Sequence, residues 1–338
     1  MESVTRDWSR YWRSAADPLE AMHAHFERHV YHRHSHETYS FGVTEAGAQS
    51  FTCRGSARTS AAGMVMAFNP DDPHDGWAAD QLGFTYRMIH IGPELVTGIL
   101  TGLGERRAGL PLFADPVVSD PVLARNLRDL HRALLGGALA LQRDELLAAA
   151  VRSAVRRAAV PARPSAVTAA AASRADAGPI ARRVRELIAS AYLEDITASD
   201  LVAATGRSRF SVHRAFTHVY GMAPSDYQRQ LRLRAARRLI SQGRPISEAA
   251  ARAGFADQSH LSRWFSRCYG VTPGGYQRAA GSGAWSGVEA EGEGGLGRGL
   301  GKPVLVGEAA DGGAGGQELR GVLAPDVVGD GHGDPDDS

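Results

Sequence analysis

Two groups of residues in this 338-residue chain have types and spacings suited to chemistry. The first is histidine: nine of the 13 precede residue 132, and His32, His34, His36 and His74 share one stretch. Alternate residues of a strand share a face, so His34-x-His36 on a strand aims both imidazoles one way, and His74, after Asn69-Pro70, can return to the same mouth. Such a set can ligate a metal, line a pocket for a small ligand, or make structural hydrogen bonds. Spacing leaves all three open. The second group is a repeat. Arg214-x-Phe216-x3-Tyr220-Gly221-x2-Pro224-x2-Tyr227 recurs as Arg263-x-Phe265-x3-Tyr269-Gly270-x2-Pro273-x2-Tyr276, six matches at a constant offset of 49.

The elements that carry the repeat read as two helix-turn-helix units. A short helical pattern ending at glycine precedes each copy, Ile196 to Gly206 with Ser199 or Thr197 as N-cap and Ile246 to Gly254. Each copy is then a helix stopped at Tyr-Gly and followed by proline, and the helix Ser225 to Ser241 joins the two units. At 100° per residue, Val212, Ala215, Phe216 and Val219 form an apolar back in the first copy, with Arg214 on the front and Arg209 and His213 on its flanks. In the second, Leu261, Trp264, Phe265 and Cys268 form the back, with Ser259 and Arg263 opposite and Gln258 and His260 nearby. A recognition helix in a major groove needs this division: an apolar back on its own unit and a front that meets base edges and phosphates.

The charge distribution agrees. The formal net charge is +1, but residues 1–178 balance at 0, residues 179–280 carry +9, and residues 281–338 carry −8. All 16 basic residues of the middle segment are arginine, whose planar fork suits phosphate and guanine edges. Lys302 is the only lysine in the chain; that general bias explains arginine in place of lysine but not a local excess of charge.

The histidines need different support. Tyr39 to Thr44, Gln49 to Cys53, Met64 to Phe68 and Phe84 to Ile91 are short runs separated by Gly, Asn, Pro and Asp, which predicts a small antiparallel β-structure, a barrel or a sandwich. Leu123, Leu127, Leu130 and Leu134 within Pro121 to Leu135, then Leu147, Val151 and Val155 within Asp144 to Arg157, predict two amphipathic helices antiparallel about Gly136-Gly137. Their stripe suits packing on their own domain and a dimer contact equally. Val160 to Gly178, rich in Ala, Pro and Ser, reads as a linker, and the tail from Gly281, with 18 glycines in 58 residues, reads as disordered. With only Cys53 and Cys268, a disulfide framework, a CxxC redox site and an all-cysteine zinc site are excluded. No apolar run is long enough to span a membrane or to serve as a secretory signal, so a soluble cytoplasmic protein is expected.

Residues from about Pro179 to Arg278 resemble the DNA-binding domain of AraC/XylS-type transcription regulators, and Pro245 to Gln277 (PISEAAARAGFADQSHLSRWFSRCYGVTPGGYQ) is close to that family's signature. The resemblance implies that Arg209, Phe210, His213 and Arg214 read bases from the first recognition helix and Gln258, Ser259, His260 and Arg263 from the second. RHSHETYSFGVTEAG, the Gly63 to Pro70 strand and DPHDGW similarly resemble the cupin barrel of that family's effector domains. Metal-binding cupins carry a glutamate four or five residues after the second histidine, where this chain has Ser40 and Phe41. The implied pocket is therefore one for a small organic effector at His34, His36, Tyr39 and His74, without metal or cofactor.

The expectation is thus an α+β two-domain chain. A cupin-like β-barrel (1–119) is followed by two helices for dimerisation or domain packing (120–159), a linker (160–178), an all-α double helix-turn-helix domain (179–280) and a Gly-rich acidic tail (281–338). Its implied activity is ligand-responsive regulation of transcription on two successive major grooves of double-stranded DNA, as a homodimer, with RNA polymerase a further candidate partner. The rival is a cupin-type metal-dependent oxygenase or isomerase with a DNA-binding appendage.

Overall fold

A computed structural model describes residues 7–104, 110–160, 178–279 and 286–289. Ten strands of the N-terminal half are β1 (Trp8–Arg13), β2 (Leu19–Phe26), β3 (Tyr31–His34), β4 (Tyr39–Cys53), β5 (Ser56–Ala61), β6 (Val65–Phe68), β7 (His74–Ala78), β8 (Phe84–Ile91), β9 (Leu112–Phe113) and β10 (Val117–Val118). Helix α1 (Pro93–Gly102) follows β8, and α2 (Pro121–Leu135) and α3 (Ala140–Ala158) follow β10. One path of strands runs β10-β6-β4-β8-β2-β1, and β4 also pairs with β5 and β7, which in turn pairs with β3. The sheet does not close on itself, and its strand pairing is compatible with a barrel-like description.

β4 holds the two parts together. The sequence predicts separate runs at Tyr39 to Thr44 and Gln49 to Cys53, but they form a single 15-residue strand. A register irregularity between Thr44 and Ala46 bends it, so its first half pairs with β6 and β8 and its second with β5 and β7. Gly47 makes the bend possible: its φ is +68°, and a Cβ there would lie 2.0 Å from the Gly83 carbonyl oxygen.

Strand parity divides the side chains between two cores. Leu19, Ala21, Tyr39, Phe41, Val65, Ala67, Ile89 and Ile91 face α1, α2 and α3, where they meet Leu123, Leu127, Leu130, Leu147 and Val151. The helix stripe therefore packs on its own domain. Asp120 caps α2 by accepting from the amides of Val122 and Leu123, at 2.9 Å each, and Pro121 supplies the first turn. Since Leu127 is only 1% exposed within a single chain, Leu127→Ala is expected to cost about 3 kcal/mol of stability. Urea unfolding checks the cost, and sedimentation should show an unchanged oligomeric state.

The opposite parity, Met22, Ala24, Phe26, Met66, Phe68, Phe84, Tyr86 and Met88, lines the concave face. Its core continues into the C-terminal half through Leu233, Ala236, Ile240, Leu261, Phe265, Cys268, Tyr269 and Tyr276. Among the described residues, seven helices make up that half: α4 (Gly178–Ala191), α5 (Ala198–Thr205), α6 (Arg209–Tyr220), α7 (Pro224–Ser241), α8 (Ile246–Arg252), α9 (Gln258–Tyr269) and α10 (Pro273–Arg278). The first helix-turn-helix keeps a separate core of Ala181, Val184, Ile188, Leu201, Val212 and Phe216. The two units are thus alike in sequence and different in support: one packs within the helical domain, the other against the sheet.

Ala159–Val160 (β11) pairs with β9 and ends the α3 segment. Most of the expected linker lies outside the described residues, as does most of the tail. Within that tail, expected to be disordered, Ser286–Glu289 instead form β12, antiparallel to β1 with Trp8 opposite Glu289. The edge of β1 offers the unpaired amides and carbonyls that such an addition needs.

Candidate functional site

Strand register assembles the histidines. His34 on β3 lies directly opposite His74 on β7, with ring centroids 4.5 Å apart. His36, just beyond β3, brings its ring 4.8 Å from His34, 5.3 Å from His74 and 4.5 Å from His90. Metal-capable atoms of His34, His36 and His74 all lie within 4.8 Å of one another. Burial is the leading cause that lowers all four imidazoles, His74 and His90 to about 4 and His34 and His36 well below their ordinary value, so the cluster is neutral at pH 7.

Hydrogen bonds fix two tautomers. His34 donates from Nδ1 to the His32 carbonyl at 2.6 Å, and His74 donates from Nδ1 to the Asp72 carbonyl at 2.9 Å. Each therefore presents the lone pair of Nε2. His34 Nε2 stands 3.2 Å from His36 Nε2, while the buried Nδ1 of His36 and Oε1 of Gln49 have no protein partner. The cavity among these groups has a volume of about 40 Å³. Tyr31, Phe68, Tyr86, Met22 and Met88 complete its barrel side, and Cys268 and Tyr269 reach it from α9.

Three of the four expected effector residues, His34, His36 and His74, come together, and Tyr39 does not. Ser40 faces the cluster and bonds His90 at 2.8 Å, so Tyr39, one residue away, points to the other face of the sheet. There it is 1% exposed and donates to the Pro111 carbonyl at 2.8 Å. His90 was missing from the sequence expectation, although Phe84, Tyr86, Met88 and His90 share a parity on a strand whose bounds are predicted correctly.

The helical domain roofs this pocket. Gln230 of α7, 3% exposed, donates to the Ser35 carbonyl at 2.9 Å and accepts from the Ser35 amide at 3.4 Å. Arg234 donates to Ser35 Oγ at 3.0 Å and to Asp71 at 2.6 Å. Arg237 pairs with Glu20, which also accepts from the hydroxyls of Tyr11 and, at 2.9 Å, Tyr276. Burial acts to raise the Glu20 carboxyl, but Arg237, His90 and the two tyrosines together hold it below the ordinary carboxylate range. Strand β3 touches both repeated helices. Arg33 donates to the Gly221 carbonyl, His32 stacks edge-on to Trp264 at 4.9 Å, and a Cβ on Gly270 would lie 2.1 Å from the Tyr31 hydroxyl.

The two repeated helices are built alike. Ser208 caps α6 by accepting from the Ser211 amide, and Asp257 caps α9 by accepting from the His260 amide. Both end at a left-handed glycine, Gly221 at φ +69° and Gly270 at φ +65°. Arg209, Phe210, His213 and Arg214 are exposed on α6, and Gln258, Ser259 and Arg263 on α9. Phe210 is 72% exposed, with the Arg209 guanidinium 4.7 Å above its ring. His260 is partly withdrawn: its Nε2 accepts from Trp264 Nε1 at 3.1 Å, and its ring packs edge-on to Phe255.

Comparison with known proteins matches both halves. Residues 18–151 match the AraC-like ligand binding domain, and residues 201–279 match a helix-turn-helix domain. YbfI of Bacillus subtilis, an uncharacterized HTH-type transcriptional regulator, is 30% identical over 232 residues, spanning 68% of this chain and 80% of its own. The chain belongs to the AraC family of transcription regulators. It is a ligand-responsive, DNA-binding member of that family. The transcriptional activator NphR of a Rhodococcus species is 40% identical over 85 residues, a quarter of each chain. A crystal structure of apo ToxT from Vibrio cholerae covers 79% of this AraC-family chain and 99% of its own, at 11% identity and a TM-score of 0.48. Among the described residues no helix is long and apolar enough to cross a membrane.

Proposed function

We propose that α6 and α9 enter successive major grooves of one duplex, with Arg209, Phe210, His213 and Arg214 reading from the first and Gln258, Ser259, His260 and Arg263 from the second. The observation that carries this is the duplication: two helices each capped by a side-chain oxygen that accepts from the amide three residues on, with the same glycine stop and exposed arginines at equivalent positions. Arg214 and Arg263 are the principal base contacts in this reading, and Phe210 offers an apolar surface to a thymine methyl.

Binding-site selection from randomised duplexes, followed by competition with unrelated DNA, tests the assignment. Arg214→Ala or Arg263→Ala is expected to weaken the selected site by about 1–3 kcal/mol and to relax preference at one position. Equal loss on selected and unrelated duplexes would reassign that arginine to phosphate contact.

The histidine pocket is proposed to sense a small effector and not to turn over a substrate, because Tyr269 and Cys268 of the reader domain occupy its open side. Effector occupancy would then bias the position of the readers. Cytoplasmic action as a homodimer, with RNA polymerase as a further partner, belongs to the same proposal. The stripe of α2 and α3 is buried, so dimer contacts would use other surfaces, and sedimentation of the full chain measures the association.

A further inference from the structure

The effector implied by family resemblance is organic, but the pocket has the dimensions and donor chemistry of an ion site. We propose that His34, His36 and His74 bind one divalent transition-metal ion of the zinc class, and that this ion is the signal transmitted to the DNA readers. The second half of the inference rests on the regulator function described above; the first half does not.

Volume is the first argument. A cavity needs at least about 10–15 Å³ to hold one water, so a cavity of about 40 Å³ holds an ion and one or two waters, and not an organic effector of several heavy atoms. The donors are the second. Two imidazoles are locked by backbone carbonyls with Nδ1 protonated, which turns both Nε2 lone pairs into the same space. Metal-bound histidines are oriented by second hydrogen bonds of this kind.

Unpaired atoms are the third argument. Once His34 spends its proton on the His32 carbonyl, its Nε2 faces His36 Nε2 at 3.2 Å, and the buried His36 Nδ1 has no protein partner. A tetrahedral ion about 2.0–2.1 Å from each nitrogen places its ligands about 3.3 Å apart, close to this separation. Contraction of the 4.8 Å set onto one centre completes three ligands and leaves the fourth position toward His90 and Tyr269, whose rings lie 4.5 and 6.1 Å from that of His36. Three imidazoles without a thiolate select zinc, copper, nickel or iron over calcium and magnesium. Cys268 also lines the cavity.

The coupling follows from what β3 touches. His34 and His36 flank Ser35, the residue that Gln230 and Arg234 grip, while Arg33 holds the end of α6, Tyr31 meets the end of α9 and His32 packs on Trp264 midway along α9. Drawing the two histidines onto an ion moves or stiffens the strand against which both readers rest.

Full-length protein, stripped with chelator and desalted, is titrated with zinc chloride by calorimetry and with cobalt chloride by visible absorption. One zinc per chain and the intense d–d bands of four-coordinate cobalt are expected, and His34→Ala and His74→Ala should each weaken zinc about 100-fold or more. The cobalt spectrum of the wild type decides the site even if a variant does not fold. Absence of a stoichiometric ion in the wild type, or undiminished binding in both variants, overturns the site. Zinc affinity is then measured with and without the selected operator. A change of about 5–150-fold, matched by an equal change in operator affinity with zinc, is expected for an effector. An ion bound with no such change overturns the signalling role and leaves the site standing. Failure to prefer any duplex would count against the DNA reading, and not against the ion count, which needs no DNA.

Discussion

Replacing Glu20 by alanine is expected to destabilise the chain by about 4 kcal/mol, because it strands the Arg237 guanidinium beneath α10 without its counter-charge. Glu20 and Arg237 are 14% and 15% exposed, and the carboxylate also receives two tyrosine hydroxyls, so the removal leaves three donors without their acceptor. The pair joins β2 of the sensor to α7 of the reader domain. Its loss should therefore loosen the second helix-turn-helix, whose core is shared with the sheet, more than the first, whose core is separate. Hydrogen exchange would show this as faster opening in α8 to α10 than in α4 to α6. Urea midpoints give the size of the effect, and Glu20→Met with Arg237→Leu should recover most of it once Tyr11→Phe and Tyr276→Phe also remove the two hydroxyls that would be left without an acceptor, since an apolar cluster of similar volume avoids the desolvation cost. A cost below about 1 kcal/mol would place the pair with solvent-screened surface contacts and remove it as the interdomain latch.

How far the sequence carries can be judged from particular residues. The repeat at offset 49 locates α6 and α9, their glycine stops and their exposed arginines, because caps and stops are local chemistry. Pro121 to Leu135 is legible to the residue for the same reason. β1 and β2 are not: LEAMHAHF is made mostly of good helix formers, and only its neighbours on the sheet commit it to a strand. Parity within Phe84 to Ile91 contains His90, and parity within β4 separates Tyr39 from Ser40; both follow once the face of the strand is known, which spacing alone does not give. Least legible is the roof of the pocket. Gln230 meets Ser35 across 195 residues and Arg237 meets Glu20 across 217, contacts that no local pattern encodes. They also explain why α7 lacks a single apolar stripe: one face meets the first unit, another the second, and a polar third holds the sheet.

A second large effect is expected on acidification, and His131 is the residue that isolates it. Fully buried on α2, it accepts from Arg87 at Nδ1 (3.1 Å) and donates from Nε2 to the Met22 carbonyl (2.9 Å), so the neutral ring uses both nitrogens. Burial is the main cause that lowers its pKa to about 3, with Arg87 and His23 acting in the same direction and the Met22 carbonyl against it. An unfolded chain returns the ring to about 6.5. Below that value the unfolded state takes up a proton that the folded state refuses. The contribution of His131 is therefore complete above about pH 6.5 and is lost as pH falls toward 3, at about 1.4 kcal/mol per pH unit and on the order of 5 kcal/mol in all. His131→Gln can retain one donor and one acceptor without the titration. Wild type and variant are compared by urea unfolding at steps between pH 7 and pH 4.5. The wild-type stability should fall more steeply by the equivalent of one proton, because the contributions of the other titrating groups are common to the two proteins and cancel in the comparison. Parallel pH profiles would mean that His131 protonates in place, with Arg87 swinging away to admit the charge.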